Sequence, residues 1–276
     1  FNAPQIDNGI KASSVFLEYG QEEKTSSIIY SGIYNSTSST NSLNQFNMAE
    51  KITKDLNTTY GSIQAIKARD NDVVVFTEDK VLKVMSSGKD VLFNAGGNAQ
   101  LTSTNRVLGT STPFAGDYGI SKNPESLATD AYRMYFADKQ RGAVLRLSGN
   151  GITPISDVGM KGYFREKLKY HTNILGTFDG VNDEYNITLL RWDKFVTDQG
   201  SPSDNQTVSF NEKSKGWISF KSFVPTSGVS IADRYYTTDD NKIYKHYVGK
   251  TSLGGDNHNV FYGTHTDSSV DVLFNE

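Results

Sequence analysis

The stretch that decides the fold is VVVFTEDKVLKV, residues 73–84. Two apolar runs, at 73–76 and 81–84, flank four residues whose composition is typical of a turn. β-branched and aromatic residues favour strands, and two such runs around a short turn predict a β-hairpin.

The same strand, turn and strand pattern recurs along the chain. Three further copies are clear, at residues 134–147, 174–190 and 235–247. A fainter copy lies at residues 16–29. Aromatic markers for the four clear units, Phe76, Phe136, Phe178 and Tyr236, are separated by 60, 42 and 58 residues. These steps are somewhat longer and less even than the roughly 40 to 50 residues of a four-stranded propeller blade.

Further short strands between these hairpins could complete each unit. They are predicted at residues 62–66, 151–156, 208–210, 217–220 and 260–262. The chain is therefore predicted to be all-β and β-propeller-like, with about five blades, as a single domain over residues 1–276. Tandem β-sandwiches are the alternative, because hairpins at this spacing also build sandwiches.

Helices and long loops have few signals in this sequence. Apolar spacing predicts two short connecting helices, at residues 48–56 and 160–168. Two polar tracts, at residues 36–42 and 199–205, are predicted to be exposed loops.

The overall charge limits the partners that the chain can bind. A formal net charge of −3, from 28 Lys and Arg against 31 Asp and Glu, disfavours tight binding to a nucleic-acid backbone, so we expect no specific binding of DNA. The densest basic cluster, Lys161, Arg165, Lys167 and Lys169, is interpreted as the solvated face of a connecting helix. No apolar run is long enough to predict a membrane span.

Residues of the types that catalyse reactions or bind metals do not have the spacing of a catalytic or metal-binding motif. Cysteine is absent, and the four His residues form no metal-binding motif; they are His171, His246, His258 and His265. Paired carboxylates such as Asp70 and Asp72 lie in predicted turns, where Asp stabilises the local backbone. We therefore predict no catalytic residue, no cofactor, no metal and no enzyme activity.

Several phrases of the sequence resemble a known group of virion proteins. They are YSGIYN (30–35), FTEDKV (76–81), YGISKNPES (118–126) and, most distinctively, FNEKSKGW (210–217). In these phrases the chain resembles the tail hub, nozzle and muzzle proteins of short-tailed and crAss-like bacteriophages. The resemblance implies a structural virion component located in the phage tail, with propeller domains in a ring around a DNA channel.

The resemblance also implies partners. It predicts contact with other tail and portal proteins and a hexameric ring of the full-length protein, with no catalytic residue to transfer. Because the chain begins at Phe1 without an initiator Met, we expect a piece of a longer virion protein. Turn residues at the blade rims are predicted to make the partner contacts, namely Arg141, Gly142, Ser38, Ser39, Pro202 and Asp204.

Two other functions remain open at this point. The first is a carbohydrate-binding or glycan-hydrolysing propeller, because exposed Tyr residues can stack on sugars. The second is a generic propeller for protein interactions. Tyr235, Tyr236, Tyr244 and Tyr247 are interpreted as blade core, because alternating aromatics in hairpins usually pair across strands.

Overall fold

The computed structural model describes residues 23–32, 34–46, 52–86, 88–93, 99–103, 107–191, 205–250 and 255–272. Strands dominate these ranges, and all the paired strands within them are antiparallel. The prediction of an all-β fold is confirmed. The chain divides into two compact units, Phe1–Phe114 and Ala115–Glu276.

The first unit contains ten described strands and one short 3-10 turn, Thr58–Tyr60. The strands are β1 (Ser27–Ile29), β2 (Tyr34–Asn35), β3 (Thr40–Asn41), β4 (Thr53–Asp55), β5 (Ile63–Ala68), β6 (Asp72–Thr77), β7 (Val81–Met85), β8 (Lys89–Phe93), β9 (Ala99–Ser103) and β10 (Ser111–Pro113).

The main sheet of this unit, sheet 1, has the strand order β10-β7-β6-β5. Its central strands β6 and β7 form the hairpin predicted from residues 73–84, with Val75 paired to Leu82. Both of these side chains are buried, together with Val84 and Leu56, in the core of the unit. The two apolar runs and the turn between them therefore predicted this hairpin correctly.

The helix predicted at residues 48–56 is wrong in its described part. Thr53–Asp55 forms β4, which pairs with β1 so that Ser27 lies opposite Asp55. The backbone N–H of Leu56 donates to the Ser26 carbonyl oxygen at 3.0 Å. Pairing with a strand distant in sequence outweighs the helical spacing of a few apolar side chains.

The second unit contains thirteen described strands and helix α1, Lys161–Tyr170, with short 3-10 turns at Pro124–Ser126 and Ile155–Asp157. The strands are β11 (Ala128–Thr129), β12 (Met134–Asp138), β13 (Ala143–Ser148), β14 (Gly151–Pro154), β15 (Asn173–Asp179), β16 (Glu184–Leu190), β17 (Gln206–Asn211), β18 (Gly216–Lys221), β19 (Ser227–Ile231), β20 (Arg234–Asp239), β21 (Lys242–Lys245), β22 (Val260–Phe261) and β23 (Thr264–His265).

Three consecutive sheets make up most of this unit. Sheet 2 is β11-β12-β13-β14, sheet 3 is β15-β16-β17-β18, and sheet 4 is β19-β20-β21, each in chain order. The first strand of sheet 3, β15, packs beside the first strands of both neighbours, β11 and β19. Successive up-and-down sheets of this kind are the building unit of β-propellers. The number of blades stays a prediction.

The other three clear hairpins are confirmed as β12 with β13, β15 with β16, and β20 with β21. The helix predicted at 160–168 is confirmed as α1, whose Phe164 and Leu168, four residues apart, are fully buried. They pack into one core with Tyr135, Val144 and Ile187 of sheets 2 and 3. In the described ranges, no helix combines the length and apolar character that crossing a membrane requires.

Candidate functional site

A buried ion cluster joins sheet 2 to sheet 3. Glu212, in the turn between β17 and β18, accepts a hydrogen bond from the Tyr135 hydroxyl at 2.6 Å. The Arg146 Nη1 atom donates to both carboxylate oxygens of Glu212, at 3.2 and 3.0 Å, and Arg133 Nε lies 3.7 Å away. Only 8% of the Glu212 side chain is exposed. Burial and then the Glu212 carboxylate raise the pKa of Tyr135 well above its ordinary value.

The same turn region holds sheet 3 against α1. The Trp217 indole N–H donates to the Ile155 carbonyl oxygen at 2.9 Å, and its ring lies 4.5 Å from the Phe164 ring and 5.3 Å from the Phe210 ring. The sequence FNEKSKGW thus contains Glu212 of the ion cluster and also Phe210 and Trp217, which pack at α1.

Sheets 3 and 4 are joined by buried polar groups. The Tyr235 hydroxyl lies 2.7 Å from the Thr177 hydroxyl and accepts from the Asn186 amide at 3.4 Å. Ser209 in turn donates to the Asn186 side-chain oxygen. Burial raises the pKa of Tyr235 to about 12. Because buried polar groups are costly unless satisfied, these contacts specify one arrangement of the two sheets.

His246, which follows β21 of sheet 4, is among the residues that line a cavity. Its Nε2 is 2.7 Å from the Thr237 hydroxyl, and its ring lies 4.6 Å from Phe223 and 4.9 Å from Tyr235. Burial lowers the pKa of His246 to about 4, and Lys221 acts in the same direction, whereas Asp179 opposes the shift. His246 is therefore neutral at pH 7 in the folded chain.

The stability of the fold should fall in mild acid because of His246. The unfolded His has a pKa of about 6.5, so the unfolded chain binds the proton first as the pH drops toward the folded pKa of about 4. Neutral His246 makes its full contribution to the free energy of unfolding above pH 6.5. About 2 kcal/mol of that contribution is lost at pH 5. Urea unfolding at pH 7.5 and pH 5 should show this loss in the wild type and not in His246→Gln.

His258→Gln is the matched control for this prediction. The His258 side chain is 78% exposed, so its replacement should leave the wild-type dependence on pH intact. Equal acid sensitivity of wild type and His246→Gln would contradict the assignment.

The cavity beside His246 has a volume of about 530 Å³ and bears on the carbohydrate hypothesis. Tyr244, Tyr247 and Tyr262 are among its lining residues, and no Asp or Glu is found in the described lining. The rings of Tyr244 and Tyr262 are 4.5 Å apart, and the hydroxyls of Tyr262 and Tyr247 are bonded to Thr237 and Asp179. These contacts favour packing rather than sugar recognition.

The structure places two of the predicted partner-contact residues in the turn between β12 and β13. Asp138 is fully buried; its Oδ1 accepts from the Arg141 backbone N–H at 3.1 Å and its Oδ2 from Arg141 Nη1 at 3.0 Å. Ser121 and Gly119 complete the set of donors, at 3.0 and 3.2 Å. Arg141 remains exposed at the surface.

Gly142 requires a correction, because it is buried and does not face solvent. Its φ is +65°, and an added Cβ would meet the Cα of Arg165 at 2.8 Å. Gly142 therefore lets the turn lie directly against α1.

The remaining predicted contact residues lie elsewhere. Ser38 and Ser39 are exposed in the turn between β2 and β3, where the Asn35 side chain accepts from the Thr37 and Ser38 N–H groups at 2.9 and 3.3 Å. Pro202 and Asp204 lie outside the described residues. Partner contact through any of these positions stays a prediction.

A second cavity, of about 830 Å³, lies between the β12–β13 turn and α1. We name it the basic cavity, because its lining includes six cationic residues, namely Lys122, Lys139, Arg141, Lys161, Arg165 and Lys169. No Asp or Glu is present in its described lining. Lys161, Arg165 and Lys169 are four residues apart, which places them on one face of α1.

Sequence reasoning found the helical part of this cavity and interpreted it as a merely solvated face. Lys161, Arg165 and Lys169 are exposed on α1 as predicted, and these three also border the cavity, whereas Lys167 does not. The sequence analysis missed the cations that the turns contribute to the cavity. The spacing of residues 161, 165 and 169 was the signal in the sequence that could have indicated a cationic face of α1.

Metal binding at the C-terminal His residues has little geometric support. His258 and His265 each lie 3.7 Å from an Asp oxygen, of Asp256 and Asp267, and these side chains are largely exposed. Over the described ranges, His, Cys, Asp and Glu form no group of three that could hold a metal ion.

Comparison with known protein families gives a match over most of the chain. The family model described as "Crassvirus muzzle protein" matches residues 17–241, which include sheets 1 to 3 and most of sheet 4. No curated protein matches the chain.

Proposed function

Because the chain belongs to the crassvirus muzzle protein family, and is thus a structural component of the phage tail in the virion, we propose that it is a rigid ring subunit that lines or supports the DNA channel. It would contact neighbouring tail proteins through its exposed turns. Following the resemblance seen in the sequence, we propose six copies in the ring of the full-length protein.

The observation that carries this proposal is the way neighbouring sheets are joined. Glu212 with Arg146 connects sheets 2 and 3, and Tyr235 with Thr177 connects sheets 3 and 4. Buried polar joints held by hydrogen bonds resist sliding of one sheet over the next. A subunit that must keep its shape beside passing DNA needs this stiffness.

We also propose that sheets 2, 3 and 4 are consecutive propeller blades and that the chain acts without catalysis of its own. The packing of β15 between β11 and β19 supports the blade arrangement, because propeller blades place their first strands inward. The carbohydrate alternative has weaker support, because the rings of the aromatic cavity are engaged with one another.

Immunogold electron microscopy of purified virions tests this function. Antibodies raised against a peptide spanning the exposed turn at residues 35–40 should decorate the tail, and quantitative mass spectrometry should give about six copies per virion. A matched antiserum against the turn at residues 211–216 should label the same place. Labelling of the capsid, or absence of the chain from virions, would disprove the proposal.

A further inference from the structure

The basic cavity carries a concentration of charge that the fold itself does not neutralise. Of the 28 Lys and Arg residues in the chain, six line this cavity. Arg141 pairs with Asp138 at 3.0 Å, and Lys161 pairs with Asp157 at 3.4 Å. Within the described part of the chain, the side chains of Lys139 and Arg165 make neither a hydrogen bond nor an ion pair. The cavity therefore has a positive potential available to a ligand.

The cavity is also held in shape before any ligand arrives. Buried Asp138 fixes the β12–β13 turn through four hydrogen bonds, two from Arg141 and one each from Ser121 and Gly119. Gly142 allows that turn to press against α1. The backbone that carries these cations therefore needs no ordering when a ligand binds.

The dimensions and composition of the cavity select the kind of anion. The cavity has a volume of about 830 Å³ and is open to solvent, so it can admit a helical turn or a loop of another protein. A DNA duplex, whose major groove alone is about 12 Å wide, is too large to enter a cavity of this volume. No aromatic residue is in the described lining, so single-stranded bases would find no stacking surface. Carboxylates on a protein helix or turn fit better.

We propose that the basic cavity is the docking site for an acidic helix or turn of a neighbouring virion protein. This inference rests on the proposed function, because a tail subunit must contact other virion proteins. Both Lys139, on the β12–β13 turn, and Arg165, on α1, line the cavity and would contact this occupant.

Binding of a hexaglutamate peptide to the isolated chain is the first test. Fluorescence anisotropy with a labelled peptide in about 0.05 M salt should show binding that Lys139→Glu with Arg165→Glu weakens by about tenfold or more. Lys242→Glu with Lys245→Glu is the matched control, with the same charge change on exposed residues of β21, and should retain binding. Equal loss in both variants, or no binding by the wild type, would overturn the proposal.

Zero-length cross-linking of intact virions is the second test. A carbodiimide joins a Lys amine to a carboxylate with loss of water, so Lys139 or Lys161 should become linked to an Asp or Glu of another virion protein. Links to a second copy of this chain would assign a different occupant and overturn the proposal. The proposal would also be overturned if a DNA duplex bound more tightly than hexaglutamate and if Lys139→Glu with Arg165→Glu abolished that DNA binding. A chain present in the tail with unlinked cavity lysines would defeat this inference alone, whereas its absence from virions would defeat the proposed function.

Discussion

Replacing Gly176 with Ala is expected to lower the free energy of unfolding by about 3 kcal/mol. Gly176 lies in β15, where sheet 3 passes the 3-10 turn Pro124–Ser126. An added Cβ would lie 2.0 Å from the Ser126 carbonyl oxygen and 2.9 Å from the Tyr185 hydroxyl. That carbonyl already accepts from Tyr185 at 2.9 Å, so neither atom can move without breaking a buried hydrogen bond. Urea unfolding followed by tryptophan fluorescence measures the effect.

Gly162→Ala is the matched control for this substitution. Gly162 lies in α1, and an added Cβ there meets nothing within 4 Å. Ala is the better helix former, so the control should gain up to about 1 kcal/mol. If both variants unfolded at the same urea concentration, the close approach of β15 to Ser126 would be contradicted.

Glu212→Gln is expected to cost about 3 kcal/mol, because it leaves buried positive charge without a counterion. The Arg146 side chain is only 23% exposed, and its Nε has no acceptor among the described residues. Arg133 and the Tyr135 hydroxyl lose the same carboxylate. Thermal and urea unfolding at pH 7 measure the loss.

An exposed ion pair that involves Lys213, the residue next to Glu212, is the control for this prediction. Lys213 and Asp183 lie 2.9 Å apart, but their side chains are 75% and 44% exposed. Asn tolerates the φ of +56° at position 183, so Asp183→Asn removes only the charge and should cost less than about 1 kcal/mol. A cost for Glu212→Gln as small as that of Asp183→Asn would show that the buried cluster does not stabilise the joint.

The hairpins could be predicted because their signals are local. In residues 73–84, the apolar runs and the turn between them lie within one short stretch, and β6 and β7 need no other strand to define their register. The same holds for Phe178, whose strand β15 pairs with the next strand in the chain. The family resemblance also depended on contiguous phrases.

The remaining features depended on residues distant in sequence. Ile52 and Leu56 have helical spacing, but only the pairing of β4 with β1 shows that this segment is a strand. The basic cavity forms where Gly142 lets the β12–β13 turn lie against α1, and no sequence spacing records that approach. Glu212 lies in a polar turn, so its burial against Arg146 has no signature in composition.

The chain-ordered strands of sheets 2, 3 and 4 also bear on how the protein is made. Hairpins form in about 1–10 μs, whereas a ribosome adds about 5–20 residues per second. Sheet 2 has all of its strands once Pro154 has emerged, and sheet 3 once Lys221 has emerged. In sheet 1, by contrast, β7 must wait for β10. Sheets 2, 3 and 4, as described, are therefore completed one after another as the chain emerges, which shortens the time for which their unpaired strands are open to neighbouring nascent chains.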